Sequence, residues 1–225
     1  MAETDAHRDQ MVDLLDALKE HFRDDLQIYV SGNIFIYYLD EDNVRQSISP
    51  DIFVVKGVEK KTRRIYLLEE EGKAPDMVIE LTSAGTKLED LNTKRLVYAS
   101  LGVREYFLFD PYGEALRPTL RGFLLENGQY LPMMGNRLSS EVLEMDLRLD
   151  EGRLRLYDRK TGERLRNHQE SEAERRAEAA ARKAAEAAQQ AAEEKAAQEL
   201  TVRQTAEAEL ARLREELAKL SENKS

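Results

Sequence analysis

The sequence predicts an α/β fold, a mixed central sheet with flanking helices, followed by a long C-terminal helix. Three observations predict it. Residues 49–55 and 75–81 are short, β-branched apolar runs entered through Pro50-Asp51 and Pro75-Asp76, and each reads as a strand behind a turn. A helical span separates the run at 77–81 from a further strand at 104–109, which is the pattern of a β-α-β crossover with parallel strands. Beyond residue 165 there is no Gly, Pro, Phe or Tyr, and Ala, Glu, Arg, Lys and Gln dominate, the composition of a long helix.

Residues 8–22 place Met11, Leu14, Leu15, Leu18 and Phe22 at spacings of three and four, an amphipathic helix. Residues 27–30 and 33–39 read as strands on either side of a tight turn or bulge at Ser31-Gly32. Strands follow at 51–55, 65–68 and 77–81. Residues 82–86 form a loop, with Thr86 placed to cap the next helix or Ser83 and Gly85 to form an anion nest. A helix over 88–101 offers Leu91, Leu96, Val97, Ala99 and Leu101 for packing, and Gly102 sits where a C-cap belongs. The strand at 104–109 ends at Asp110-Pro111, and Glu105-Tyr106-Phe107 within it reads as sheet packing. Residues 116–158 look like a β appendage, with a hairpin about Asn127-Gly128, an alternating strand at 153–157 and a turn at 160–163.

Composition divides the 225 residues into a domain over 1–165 and a tail over 166–225. The first carries 23 Lys and Arg against 31 Asp and Glu and the second 11 against 13, so most of the net charge of −10 lies on the body. An acidic body argues against a broad surface for nucleic acid, although not against a local basic cleft. Lys56, Lys60, Lys61, Arg63 and Arg64 are the densest positive cluster and read equally as such a cleft or as a solvated hairpin. In the tail, Leu210, Leu213, Leu217 and Leu220 form a short a/d seam, but the same register places Arg203, Glu199 and Gln189 at core positions. A homo-oligomeric coiled coil and a solvated helix both fit.

The chain has no cysteine, which excludes disulfides, thiolate zinc sites and cysteine nucleophiles. No signal-peptide pattern and no apolar run of membrane-spanning length are present, so the expectation is a cytoplasmic protein without a membrane partner. The three histidines, His7, His21 and His168, show no ligand spacing and read as structural or surface residues.

The chemistry is carried by carboxylates. Asp51 stands at the mouth of one strand and Glu80 inside another, among Met77, Val78, Ile79 and Leu81, where an unpaired charge is costly unless it faces out, takes a proton or holds a cation. Adjacent strands presenting Asp51 and Glu80 would supply half of an octahedral Mg²⁺ or Mn²⁺ site, with a backbone carbonyl of Leu81 as a further donor. Phosphodiester hydrolysis also needs a cationic group to orient water and balance phosphate charge. Many nucleases place a lysine two residues beyond the second acid; here Thr82 stands there. Asp90 and Lys94 share a helical face at i,i+4, so Lys94 either reaches the site from the helix or forms an ordinary salt bridge with Asp90. Lys87 is a weaker candidate, and Asp76 reads as a turn residue.

Pro50-Asp51-Ile52-Phe53-Val54-Val55, Val78-Ile79-Glu80-Leu81-Thr82-Ser83, Asp90-x-x-x-Lys94, Tyr98, Gly102-Val103-x-Glu105-Tyr106 and Phe109-Asp110-Pro111 together resemble the Uma-two family of restriction endonucleases, within the PD-(D/E)XK nuclease superfamily. The resemblance runs in order over about residues 25–165. It implies a restriction-endonuclease-like fold and a metal-dependent endonuclease acting on DNA, with Asp51 and Glu80 as metal ligands and catalytic acids. Lys94 would then be the helix lysine that replaces the one missing after the second acid. Asp90 matches as well, with no role assigned between binding metal and orienting Lys94. Two other expectations stay open: a catalytically silent nuclease fold with a binding or regulatory role, and a scaffold whose functional part is the tail.

Overall fold

A computed structural model describes residues 4–134 and 137–222, with side chains described through Arg214. The chain divides into two compact units, the first ending at Glu170 and the second beginning at Ser171.

The first unit opens with α1 (Asp5–His21), capped by Thr4, whose Oγ1 accepts from the backbone N–H of His7 at 3.3 Å. The elements that follow are β1 (Ile28–Ser31), β2 (Ile36–Leu39), β3 (Arg45–Ile48), β4 (Ile52–Lys56), β5 (Tyr66–Leu67), α2 (Leu68–Glu71) and β6 (Met77–Leu81). A π-helical segment, Glu89–Lys94, then runs into α3 (Arg95–Ser100) and returns through Gly102, at φ 78°, to β7 (Glu105–Phe109). The unit ends with β8 (Leu120–Glu126), β9 (Gln129–Pro132), β10 (Leu138–Ser140), β11 (Met145–Asp150) and β12 (Arg153–Asp158).

The central sheet has the order β1-β4-β6-β7-β8-β9. It is mixed: β6 and β7, joined by the helical crossover, are parallel, and the other neighbours are antiparallel. β4 and β6 are completely buried but for Lys56, as expected of strands covered on both faces. One face carries α1 and the sheet β10-β11-β12 over a core that includes Leu14, Leu18, Ile52, Ile79, Phe107 and Leu147. The other carries α3 and the small sheet β3-β2-β5 over Phe53, Val78, Tyr66, Tyr98, Tyr106 and Leu108.

The structure corrects the sequence reading in several places. β1 and β2 belong to different sheets, so Ser31-Gly32 does not close a hairpin. Gly32 is instead a point of close approach: a Cβ there would lie 1.9 Å from the carbonyl oxygen of Asp51. β3 was not expected; its exposed Arg45, Gln46 and Ser47 give no hydrophobic signal. Within residues 116–158, β8 and β9 extend the central sheet, while β10–β12 form a sheet of their own. Thr86 accepts from the N–H of Ser83 within the loop rather than capping a helix, and Leu96 is exposed, because the π-helical turn shifts the buried face to Tyr98.

The second unit is most of α4 (His168–Glu222), whose first turn lies in the first unit. It starts with a reciprocal cap: Asn167 Oδ1 accepts from the N–H of Glu170 at 2.9 Å, and Glu170 Oε2 accepts from the N–H of Asn167 at 3.1 Å. Leu210 and Leu213 are exposed; Leu217 and Leu220 lie outside the residues whose side chains are described. Among the described residues no helix is long and apolar enough to cross a membrane.

Candidate active site

Asp51 and Glu80 meet because β4 and β6 run antiparallel with Ile52 opposite Ile79, so the next step of the register sets Asp51 against Glu80. The Asp51 N–H points at Glu80 Oε2 at 3.4 Å, and Asp51 Oδ2 accepts from the Leu81 N–H at 2.7 Å. The close passage of Gly32 against the Asp51 carbonyl fixes the entry to β4 from its other side.

The third group arrives from the crossover. Lys94 Nζ donates to Glu80 Oε2 at 2.9 Å and lies 3.2 Å from Asp90 Oδ1. The Asp90 contact is an ion pair without hydrogen-bond geometry. Lys94 therefore serves both sequence readings at once: it pairs with Asp90 along the helix and reaches Glu80 across the sheet. Thr82, at the position where a lysine was missing, is buried and turns its hydroxyl toward Thr86 at 3.4 Å. Among the described residues, Lys87 makes no hydrogen bond or ion pair with Asp51 or Glu80.

Two residues complete the cluster. Tyr98 OH donates to Glu80 Oε1 at 2.5 Å, and Tyr106 OH holds the backbone carbonyl of Asp90 at 2.9 Å. Tyr98 follows Lys94 by four residues as Lys94 follows Asp90, so one helical face points all three at the sheet. From α1, His7 Nε2 lies 2.7 Å from the Leu81 carbonyl oxygen and 3.4 Å from Asp51 Oδ2. The sequence reading of His7 as a structural or surface residue did not place it beside Asp51, and nothing in its spacing signals that contact.

Burial and charge set the electrostatics. Glu80 is completely buried, and burial together with Asp51 and Asp90 raises its carboxyl well above the ordinary range, against the pull of Lys94 and the Tyr98 hydroxyl. Burial works the same way on Asp51, but the His7 hydrogen bond, the Leu81 N–H and the charge of Lys94 outweigh it and hold that carboxyl below its usual value. Burial would lower Lys94, yet Glu80 and Asp90 prevail and push it up, so it stays an ammonium. Three carboxyl groups thus surround one lysine, an oxygen-rich setting that suits a divalent cation. Among the described residues no trio of His, Asp or Glu side chains forms a ready-made metal cage. The oxygen donors of Asp51, Glu80 and the Leu81 carbonyl are the sparse, hard set that Mg²⁺ takes while keeping waters.

The other candidates are structural. Asp76 Oδ2 accepts from the Lys56 N–H at 2.7 Å and pairs with Lys73 Nζ at 3.0 Å, holding the turn before β6. Glu105 accepts from the N–H groups of Glu141 and Val142 and from the Ser140 hydroxyl, pinning the 140–143 turn to the sheet. Two members of the basic cluster, Lys60 and Arg63, are engaged by the fold. Arg63 makes a two-pronged pair with Glu71, both contacts at 2.7 Å, and stacks on Tyr29. Lys60 Nζ caps the end of α1 on the Phe22 and Arg23 carbonyls.

Residues 1–156 match the profile of the Uma2 family, described as "Putative restriction endonuclease". A solved structure from Anabaena variabilis ATCC 29413, described as a "putative nuclease belonging to DUF820", is similar at 14% identity. That similarity covers 64% of this chain and 76% of the other, with a TM-score of 0.48. No curated protein matches the chain.

Proposed function

The chain belongs to the Uma2 family, and from that premise we propose that it is a divalent-cation-dependent endonuclease hydrolysing phosphodiester bonds in DNA. The observation that carries the reading is the contact of Lys94 with Glu80 at 2.9 Å, beside Asp51 and across 14 residues of chain. It brings two acids and a lysine to one strand edge although the lysine is absent from its usual place in sequence.

Asp51 and Glu80 hold Mg²⁺ or Mn²⁺, with the Leu81 carbonyl beside them. When bound, the cation polarises the scissile phosphate and acidifies water. Tyr98 fixes the Glu80 carboxylate through its short hydrogen bond, so the acid keeps one orientation. Lys94, as an ammonium, orients the attacking water and offsets charge on the phosphate.

One observation favours a second reading, a silent nuclease fold that binds without cutting: Lys60 and Arg63 are engaged inside the fold and leave fewer cations to track a phosphate backbone. Exposed Leu210 and Leu213 likewise favour self-association through α4 as a scaffold. Incubation of supercoiled plasmid with the full chain decides. Nicking with Mg²⁺ or Mn²⁺ that stops with EDTA supports the hydrolytic reading, and DNA retained without nicking under any of these conditions supports the silent one.

A further inference from the structure

We propose that His7 is a protein ligand of the cation through Nε2, and that it tilts the site toward Mn²⁺ over Mg²⁺. The inference rests on the hydrolytic reading and adds to it a donor from α1.

Three donors of different chemistry converge where α1 meets the ends of β4 and β6. The imidazole Nε2 of His7 is 2.7 Å from the Leu81 carbonyl oxygen and 3.4 Å from Asp51 Oδ2. Two ligands at right angles on a cation with bonds of about 2.1 Å lie roughly 3 Å apart, and the two His7 distances bracket that spacing. Glu80 is the next residue back along β6 and reaches the Asp51 N–H with Oε2. The set is therefore His7, Asp51 and the Leu81 carbonyl, with Glu80 adjoining and steadied by Lys94 and Tyr98.

His7 is held in place for this. Thr4 caps its N–H at the head of α1. Three residues on, the buried Gln10 exchanges two hydrogen bonds with the Leu154 backbone, at 3.0 and 3.1 Å, and locks that turn against β12. The His7 side chain is only 14% exposed. Without a cation Nε2 donates its proton to the Leu81 carbonyl. Ligation through Nε2 would call for the other tautomer of the neutral ring, with the proton on Nδ1 and the Nε2 lone pair open to the cation.

The metal preference follows from the donors. Carboxylate and carbonyl oxygens suit Mg²⁺ and Mn²⁺ alike, whereas imidazole adds to the affinity of transition ions far more than to that of Mg²⁺.

The test is the full, untagged chain loaded with Mn²⁺ and examined by electron spin echo envelope modulation, in the parent and in His7→Gln, with binding followed from the signal of free Mn²⁺. The expected result is a nitrogen coupling to bound Mn²⁺ that changes frequency when histidine is labelled with ¹⁵N and disappears in His7→Gln. Mn²⁺ affinity in that variant falls about 10-fold or more, and Mg²⁺ affinity changes less. Because the parent signal alone shows whether an imidazole ligates, a variant that misfolds does not spare the proposal. Mn²⁺ bound in a manner that Glu80→Ala abolishes, but with no nitrogen coupling, overturns the role of His7 and leaves the hydrolytic reading standing. Failure of the parent to bind Mn²⁺ overturns both.

Discussion

Lys94 and Glu80 form an ion pair at 2.9 Å with Glu80 sealed from solvent, and this pair joins the crossover helix to the centre of the sheet. A buried carboxylate with a single lysine partner is a strong constraint on both. Lys94→Met keeps much of the side-chain volume and removes the ammonium. Cleavage by this variant is expected to fall about 10²–10³-fold in single-turnover assays with Mn²⁺ present. A rate within a few-fold of the parent would place Lys94 outside the chemistry.

Tyr98 holds the other oxygen of Glu80 at 2.5 Å. Tyr98→Phe leaves that oxygen without its donor in a buried setting, at a cost of about 1–3 kcal/mol. The melting temperature is expected to fall by several degrees and the Mn²⁺ dissociation constant to rise by about 10-fold. Calorimetry of the same preparation reads both, and a drop in melting temperature without a change in affinity would make Tyr98 a core residue only.

Gly32 tests how the site is framed. An alanine there sets its Cβ 1.9 Å from the Asp51 carbonyl oxygen and 3.0 Å from its carbonyl carbon, both backbone atoms that no rotamer change can move. Gly32→Ala is expected to destabilise by about 1–3 kcal/mol and to slow cleavage by displacing Asp51. Thermal melts alongside nicking rates check it; unchanged values for both would show that the β1–β2 connection yields freely.

Acid sensitivity has one clear source outside the site. The Arg63 guanidinium holds Glu71 below its ordinary value of 4.5. A carboxyl lowered on folding contributes stability that is complete above its unfolded value and disappears as pH falls through the folded one. Glu71→Gln is therefore expected to melt below the parent at neutral pH, with the gap closing as pH falls beneath about 4. A gap that is constant with pH would assign the effect to packing of Arg63 on Tyr29.

The strands that carry the acids were legible because their signals are local. Pro-Asp entries and unbroken apolar runs mark β4 and β6, and the crossover between β6 and β7 follows from the helix between them. Lys94 was legible as a candidate by its spacing from Asp90, and the same spacing carried one step further reaches Tyr98. What the sequence hid depends on distance along the chain. His7 meets Leu81 across 74 residues, and no periodicity in α1 announces it. Gly32 looked like a turn because glycine serves both turns and close approaches, and only the Asp51 carbonyl distinguishes them. The basic run at 56–64 looked like a surface because composition does not reveal that Arg63 turns inward to Glu71.

The most direct measurement is nicking of supercoiled plasmid with Mn²⁺ by the parent and by Glu80→Ala, prepared side by side and shown by circular dichroism to be folded. Metal-dependent nicking by the parent that is lost in Glu80→Ala is the predicted result. Equal nicking by the two proteins would contradict the assignment of Asp51, Glu80 and Lys94 as the hydrolytic site.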